Sequence, residues 1–174
     1  RSLESRDKRQ AALRLAAEPA PGHELMLDAR GGKETREAVS VERGGRRRVY
    51  TSATDIDRRH LGAGWSADWG GGAEWRSTLR AYASRIEMDN ERSNGVAALR
   101  PNRLDDRVLD GVVSARATAA QLVTAGLEAR DEQLRNLGLP GGRASADHRA
   151  VFVQDEIELM AALALTAGLR RDEH

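Results

Sequence analysis

Apolar residues in the second half of the chain recur at helical spacing. The spacing predicts a helix of more than twenty residues after Asn102, where the two following acids, Asp105 and Asp106, suit a first turn. Its apolar positions are Leu104, Val108, Leu109, Val112, Val113, Ala119, Leu122, Val123 and Leu127. This helix is the strongest periodic signal in the chain.

Three further segments also show a helical pattern. Residues 3–17 predict a short helix that ends before Pro19, since proline interrupts helices. From residue 77 an apolar stripe predicts a second helix, which ends near residues 93–95. Residues 147–169 are apolar on much of their surface, so a helix there is expected to be buried or to lie between subunits.

One segment alternates in the manner of a strand. Residues 36–54 alternate around Gly44 and Gly45, a pair that tolerates positive φ and therefore predicts a hairpin. The predicted fold is mainly α, a helical bundle with a small β-hairpin, or α+β if the hairpin is extended. Within one domain, we expect an N-terminal helical arm at 1–22, the hairpin and a glycine- and tryptophan-rich loop at 23–76, and the bundle core at 77–174.

Residues 62–75 contain five glycines and all three tryptophans of the chain. The glycine content predicts a loop, and loops often carry function. Two interpretations remain open for Trp65, Trp69 and Trp75. They form a partner-binding loop, or they cap a core that is poor in aromatic residues.

Charge in this chain is high but balanced, with 28 basic and 27 acidic residues among 174. No global field therefore draws the chain to nucleic acid or to a membrane. All basic residues except Lys8 and Lys33 are arginine, whose planar fork suits phosphate or carboxylate. Local arginine clusters are thus the candidates for an anion site.

Catalytic and metal motifs are missing from the sequence. There is no cysteine, and the four histidines have no ligand spacing. No phosphate loop or serine triad pattern is present. We therefore predict no enzyme activity, no cofactor and no metal, and we see neither a secretion signal nor a membrane-spanning run.

Charged residues cluster where two of the predicted helices would meet. The predicted nucleic-acid ligands are Arg85, Arg103, Arg107 and Arg116, and the predicted inter-subunit acids are Glu87, Asp89, Asp105 and Asp106. Arginines at one end of a bundle can hold phosphates, while the acids orient them or face acids of a neighbour. The alternative is a set of ordinary exposed ion pairs.

Three short motifs resemble the coat proteins of rod-shaped helical RNA viruses, the tobacco mosaic virus group. They are RIEMDNERSN at 85–94, RLDD at 103–106 and HRAVF at 148–152. The resemblance implies a four-helix subunit that stacks into a tube, with Arg85 and Arg103 on the RNA backbone and Asp105 and Asp106 beside them. It also implies that Glu87 repels a neighbouring carboxylate.

These observations together predict a structural, self-assembling protein. We expect a viral coat subunit that forms homo-oligomers, contacts single-stranded RNA through arginines, has no membrane partner, and resides in the virion or the host cytoplasm. The alternative is an adaptor module of a phage or secretion particle that uses the tryptophan loop.

Overall fold

In the part of the chain that the structure describes, the strands form one antiparallel sheet of eight that follow each other in sequence order. The computed structural model describes residues 4–41, 47–70 and 74–174. The strands are β1 (Glu4–Ala20), β2 (His23–Val41), β3 (Val49–Trp69), β4 (Trp75–Arg92), β5 (Asn102–Thr118), β6 (Gln121–Asn136), β7 (Arg143–Met160) and β8 (Leu163–Glu173). A short 3₁₀ turn, Pro140–Gly142, precedes β7.

The predicted helical bundle is wrong. The long helix after Asn102 is instead the hairpin of β5 and β6, in which Val113 lies opposite Ala125. The predicted last helix is the hairpin of β7 and β8, and the predicted N-terminal helix is β1. Alanine and leucine favour helices as single residues, but pairing between neighbouring strands overrides that preference here.

The strands that flank Gly44 and Gly45 do pair with each other. Val41 lies opposite Val49, and the ladder continues to His23 opposite Ala67. The predicted turn itself lies outside the described residues. The hairpin is therefore one repeat of a meander, and of the two domain boundaries predicted, residue 22 falls in the β1–β2 connection and residue 76 falls within β4.

The connections differ in length between the two ends of the sheet. At one end they span residues 21–22, 70–74, 119–120 and 161–162, and at the other end residues 42–48, 93–101 and 137–142. We call these the short end and the long end. At the short end Gly22 adopts φ 76°, a left-handed conformation that favours glycine in a tight turn.

The pairing register separates odd-numbered from even-numbered residues. Odd residues lie opposite odd residues in every ladder, as in the row Leu15, Leu27, Ala63, Ala81 and Leu109, apart from irregularities beside the short turns. Because successive side chains in a strand point to opposite faces, the sheet has an odd face and an even face.

The buried residues lie mostly on the even face. Among described residues, Ile56, Val108, Ala150 and Glu34 are buried and even-numbered, and Ala67 is the odd-numbered exception. This distribution fits a sheet that curves toward its even face. No helix in the described part of the chain has the length and apolar character needed to cross a membrane.

Candidate functional site

The odd face carries a continuous apolar surface. Except for Met160, every exposed large apolar side chain within the described strands is odd-numbered. We call a set of apolar odd-face residues, which extend from near the short end to about the middle of each strand, the apolar belt: Leu13, Leu15, Leu25, Leu27, Leu61, Ala63, Trp65, Leu79, Ala81, Leu109, Val113, Val123, Leu127, Val151, Val153, Leu165 and Leu169.

The belt extends across all eight strands. In β3 the distance along the strand from Leu61 to Trp69, the residue that borders the belt, is about 26 Å at roughly 3.3 Å per residue. A smaller apolar group, Val39, Val41 and Val49, lies at the long end of β2 and β3. Among the residues that the structure describes, no second layer covers the belt, since they form a single sheet. A surface of this size requires an apolar medium or a partner.

The three tryptophans lie in strands, not in the predicted loop. Trp65 and Trp69 belong to β3, and Trp69 lies opposite Trp75 at the start of β4. Trp65 belongs to the belt, and the rings of Trp69 and Trp75, which are about half exposed, form its border at the short end. The Trp69 Nε1 donates a hydrogen bond to Ser77 Oγ at 2.9 Å, and the His23 ring lies 5.0 Å from Trp69. Such amphipathic rings suit a boundary between apolar and aqueous surroundings.

The opposite border of the belt is basic. Moving from the belt toward the long end, the first charged odd-face residue is basic in seven of the eight strands. We call these residues the basic collar: Arg9, Lys33, Arg59, Arg85, Arg107, Arg149 and Arg171. The remaining strand, β6, has Asp131 at this position. The belt is therefore bordered by indole rings on one side and by cations on the other.

Four of the residues predicted from the sequence do meet, through the pairing of β4 with β5 and not at helix ends. Arg85 Nε lies 2.6 Å from Asp105 Oδ1, and Arg103 Nε lies 2.8 Å from Asp105 Oδ2. Arg103 also lies 3.6 Å from Glu87. Burial raises the pKa of Asp105, but hydrogen bonds from Arg103 and Arg85 outweigh it and hold that pKa below the ordinary value. The arginine forks thus contact carboxylates of the same sheet.

The other predicted residues are dispersed. Asp106 lies on the even face, where Arg130 Nε contacts it at 3.0 Å. Asp89 lies opposite Asp55 on the odd face. Arg116 lies at the short end, 3.0 Å from Glu74. Arg107 belongs to the collar, so the eight residues do not form one site.

The even face carries the charges at the depth of the belt. Arg80 pairs with Asp110 at 2.8 Å, and Arg170 pairs with Glu128 at 3.4 Å. At the same depth the described odd face has one charged residue, Asp155, to which Gln121 Nε2 donates a hydrogen bond at 2.8 Å. The two faces therefore suit different media, one apolar and one aqueous.

A buried carboxylate, which was missed in the sequence, organises the even face toward the long end. Glu34 is 2% exposed. Its carboxylate oxygens form ion pairs with guanidinium nitrogens of Arg36 at 2.5 Å, Arg6 at 2.7 Å and Arg58 at 2.9 Å. Hydrogen bonds from Arg36 and then Arg6 lower the pKa of Glu34 from 4.5 to about 2. We call these four residues the Glu34 cluster.

The Glu34 cluster borders an open cleft of about 650 Å³ that also contains Lys8, Arg30 and His60. The three arginines of the cluster outnumber its one carboxylate, and their side chains stay 42% to 53% exposed. The cleft can therefore attract an anion. The register of the predicted hairpin could have revealed this cluster from the sequence. A register that pairs Val41 with Val49 also places Glu34 opposite Ile56, and therefore beside Arg58.

Solved structures share this fold. No family model matches the chain, and no curated protein matches it. The ferric preacinetobactin receptor of Acinetobacter baumannii matches with a TM-score of 0.76 at 10% identity, over 96% of this chain and 30% of that chain. The siderophore receptor PirA of the same species matches with a TM-score of 0.75 at 14% identity, over 97% and 29%. The ferric-catecholate import receptor Fiu of E. coli K12, in its open form, matches with a TM-score of 0.71 at 8% identity, over 91% and 34%.

The chain thus spans about a third of the length of these receptors, and at such identities the likeness concerns the fold alone. It nevertheless overturns the resemblance to rod-shaped virus coat proteins, because those are expected to be helical and this chain is an antiparallel sheet that matches part of solved receptor structures. The coat-subunit function and the adaptor alternative are wrong for the same reason.

The predicted partners and location are also corrected. An RNA-coating homo-oligomer in a virion or host cytoplasm is wrong, since the solved structures that share this fold include receptors named for ferric preacinetobactin and ferric catecholate. The prediction that no membrane is involved conflicts with the uncovered apolar belt on the odd face. The arginines predicted to bind RNA are instead paired within the sheet or belong to the collar.

Proposed function

We propose that this chain forms part of the wall of a membrane-spanning β-barrel in a receptor that imports iron chelates. The observation that carries the proposal is the segregation of side chains by parity, with the apolar belt on the odd face and ion pairs on the even face at the same depth. In a barrel wall the odd face contacts lipid and the even face lines the interior.

The dimensions of the strands support the proposal. A tilted strand needs about 9–11 residues to cross a bilayer. The strands here have 11 to 21 residues, so most continue well past the belt at the long end. Unequal connections at the two ends are typical of such barrels, whose short turns lie on the inner side of the membrane. In this proposal β1 and β8 pair with further strands. The backbone N–H and C=O groups at an unpaired sheet edge would find no hydrogen-bond partner in hydrocarbon.

We further propose that the imported molecule is an anionic ferric chelate and that the chain is not an enzyme. A ferric ion held by three catecholates carries net negative charge, and the Glu34 cluster offers an excess of exposed guanidinium groups on the interior face. The receptors that share the fold are named for ferric preacinetobactin and ferric catecholate. Transport of an intact chelate requires binding and release without a catalytic group.

Tryptophan fluorescence tests the placement in a membrane. The receptor is reconstituted in phosphatidylcholine vesicles with brominated acyl chains, which quench indoles that contact lipid. We expect strong quenching from Trp65, Trp69 and Trp75 and little from the water-soluble quencher acrylamide. Strong acrylamide quenching without bromine quenching would contradict the proposal.

Calorimetric titration with ferric tris-catecholate tests the ligand class. We expect Arg58→Gln to weaken binding roughly tenfold or more, since a hydrogen bond to a charged group contributes about 1.5–3 kcal/mol. Arg59→Gln is the matched control, because Arg59 is the next residue but faces outward. Equal affinities in both variants and the wild type would exclude the cleft as the binding site.

A further inference from the structure

The basic collar lies where a membrane surface would meet the sheet. If the belt contacts lipid, as in the proposed function on which this inference rests, the collar is at the headgroup level of the leaflet at the long end. We infer that the collar binds the phosphate groups of anionic lipids in that leaflet. Guanidinium groups suit this ligand, because their planar fork donates two parallel hydrogen bonds to a phosphate.

Two arginines of the collar retain free donors. Arg107 and Arg149 are exposed, and across the described ranges 4–41, 47–70 and 74–174 neither has a carboxylate oxygen within 4.0 Å. Arg107 lies opposite Asp131 in the register but forms no ion pair with it at that distance. These two side chains are therefore the collar members most open to an incoming phosphate.

Other collar arginines are held in place by neighbouring acids on the odd face. Arg59 pairs with Asp57 at 3.2 Å, and Arg171 pairs with Glu173 at 2.7 Å, in each case one odd-face position further from the belt on the same strand. Arg85 pairs with Asp105, which lies directly opposite it in β5, at 2.6 Å. None of these three acids lies on the belt side of its arginine, so the pairs keep the guanidinium groups at the border of the belt.

The charge on the odd face thus changes sign along the strands. One odd-face position beyond the collar, six of the eight strands carry an acid, namely Asp7, Asp57, Glu87, Asp105, Asp147 and Glu173. The two rows are about 7 Å apart at roughly 3.3 Å per residue, close to the Debye length of about 8 Å. Lipid phosphates are attracted at the collar and repelled beyond it, which specifies a depth for the headgroups.

This pattern is more specific than arginines that extend from an apolar surface into water. Such arginines need no fixed position relative to acids, and their general attraction to an anionic surface does not favour one row of the strand over another. Binding of headgroup phosphates at the collar predicts that the preference for anionic lipid depends on position along the strand.

The test measures retention of phosphatidylglycerol and phosphatidylcholine by the receptor, titrated in detergent and counted by native mass spectrometry. We expect the wild type to prefer phosphatidylglycerol. Arg107→Gln combined with Arg149→Gln is expected to weaken that preference roughly five-fold per arginine, which corresponds to the surface contribution of one basic residue. Arg143→Gln is the matched control, since Arg143 is an exposed odd-face arginine of β7 but lies six residues beyond Arg149.

Loss of the preference in the double variant, but not in Arg143→Gln, would support the inference. An unchanged preference in the double variant would overturn it, and so would equal retention of both lipids by the wild type. Bromine quenching of the tryptophans in neutral vesicles separates the two proposals. Quenching without a lipid preference removes the collar inference alone, whereas absence of quenching removes the membrane placement as well.

Discussion

The two faces of this sheet are built from the same strands and yet resemble different proteins. At the depth of the belt, the odd face has the composition of a lipid-contacting surface and the even face that of a hydrated interior. Adjacent residues can therefore be of the same type and have unlike surroundings. Val112 lies on the even face, and Val113 lies on the odd face, where it is 43% exposed. Burial by the chain itself does not explain this sequence, whereas the proposed contact with lipid on one side and water on the other does.

Substitution of the two valines gives the largest expected effect. Val113→Arg places a charge on the odd face, which contacts lipid in the proposed barrel, and arginine near the membrane centre costs about 2–4 kcal/mol. Val112→Arg places the same charge on the interior face and should cost less. Reversible unfolding in urea from lipid vesicles measures both. Equal costs at the two positions would break the distinction between the faces.

An aromatic contact on the even face is expected to have the next largest effect. Phe152 lies opposite Gly126, and its ring covers the space where a side chain on Gly126 would lie. Phe152→Ala uncovers the backbone there. We expect the free energy of unfolding to fall by about 1–2 kcal/mol, because the ring is only partly buried. Val151→Ala, in the same strand on the belt, is the control. A larger fall in the free energy of unfolding for Val151→Ala than for Phe152→Ala would contradict this expectation.

The Glu34 cluster should make the sheet acid-sensitive. The pKa of Glu34 in the folded chain, about 2, lies below the ordinary 4.5, so folding stabilises the ionised form of this carboxyl. That contribution is present above pH about 4.5 and is lost as the pH falls toward about 2. In Glu34→Gln we expect lower stability at neutral pH and a flatter stability profile across this window. An unfolding midpoint that falls equally with pH in both proteins would contradict the role of Glu34.

The ion pairs of Asp105 on the odd face should matter least. Asp105→Asn removes the partner of Arg85 and Arg103, but these arginines are 40% and 30% exposed, and pairs that water can reach contribute about 0–1 kcal/mol. We expect an unfolding midpoint close to that of the wild type, with a difference that shrinks at high salt. A loss well above this range would mean that the cluster is shielded from water in the full receptor.

The helical prediction failed because apolar residues occur at both parities. In β5 and β6 the even face contains Leu104, Val108, Val112 and Leu122, beside the belt residues of the odd face. Together the two sets fill positions spaced by three and four residues, which is the helical signature. A one-layer wall with a partly apolar interior therefore gives a weak signal of period two.

Other segments did contain the period of two that is typical of strands. Leu163, Leu165 and Leu169 alternate in β8, but the alanines between them favour a helix and masked the alternation. The pairing of residues 36–41 with 49–54 was predictable because Gly44 and Gly45 announce a turn. No local pattern announces the belt, which becomes visible only when the register aligns eight strands.

The proximity of Arg85, Arg103 and Asp105 was expected at the ends of two helices, whereas it arises from pairing between β4 and β5. The collar was invisible in the sequence for the same reason. Its members are far apart in the chain and share only their parity and their distance from the short end.

One spin-label scan along β5 tests the central claim most directly. The chain contains no cysteine, so single cysteines at residues 108–115 can carry the label. In lipid vesicles we predict that accessibility to dissolved oxygen is high at odd-numbered sites and low at even-numbered sites, with a water-soluble nickel chelate excluded from the odd-numbered sites. Accessibility that does not alternate with a period of two, or nickel access at the odd-numbered sites, would contradict the assignment of the odd face to lipid.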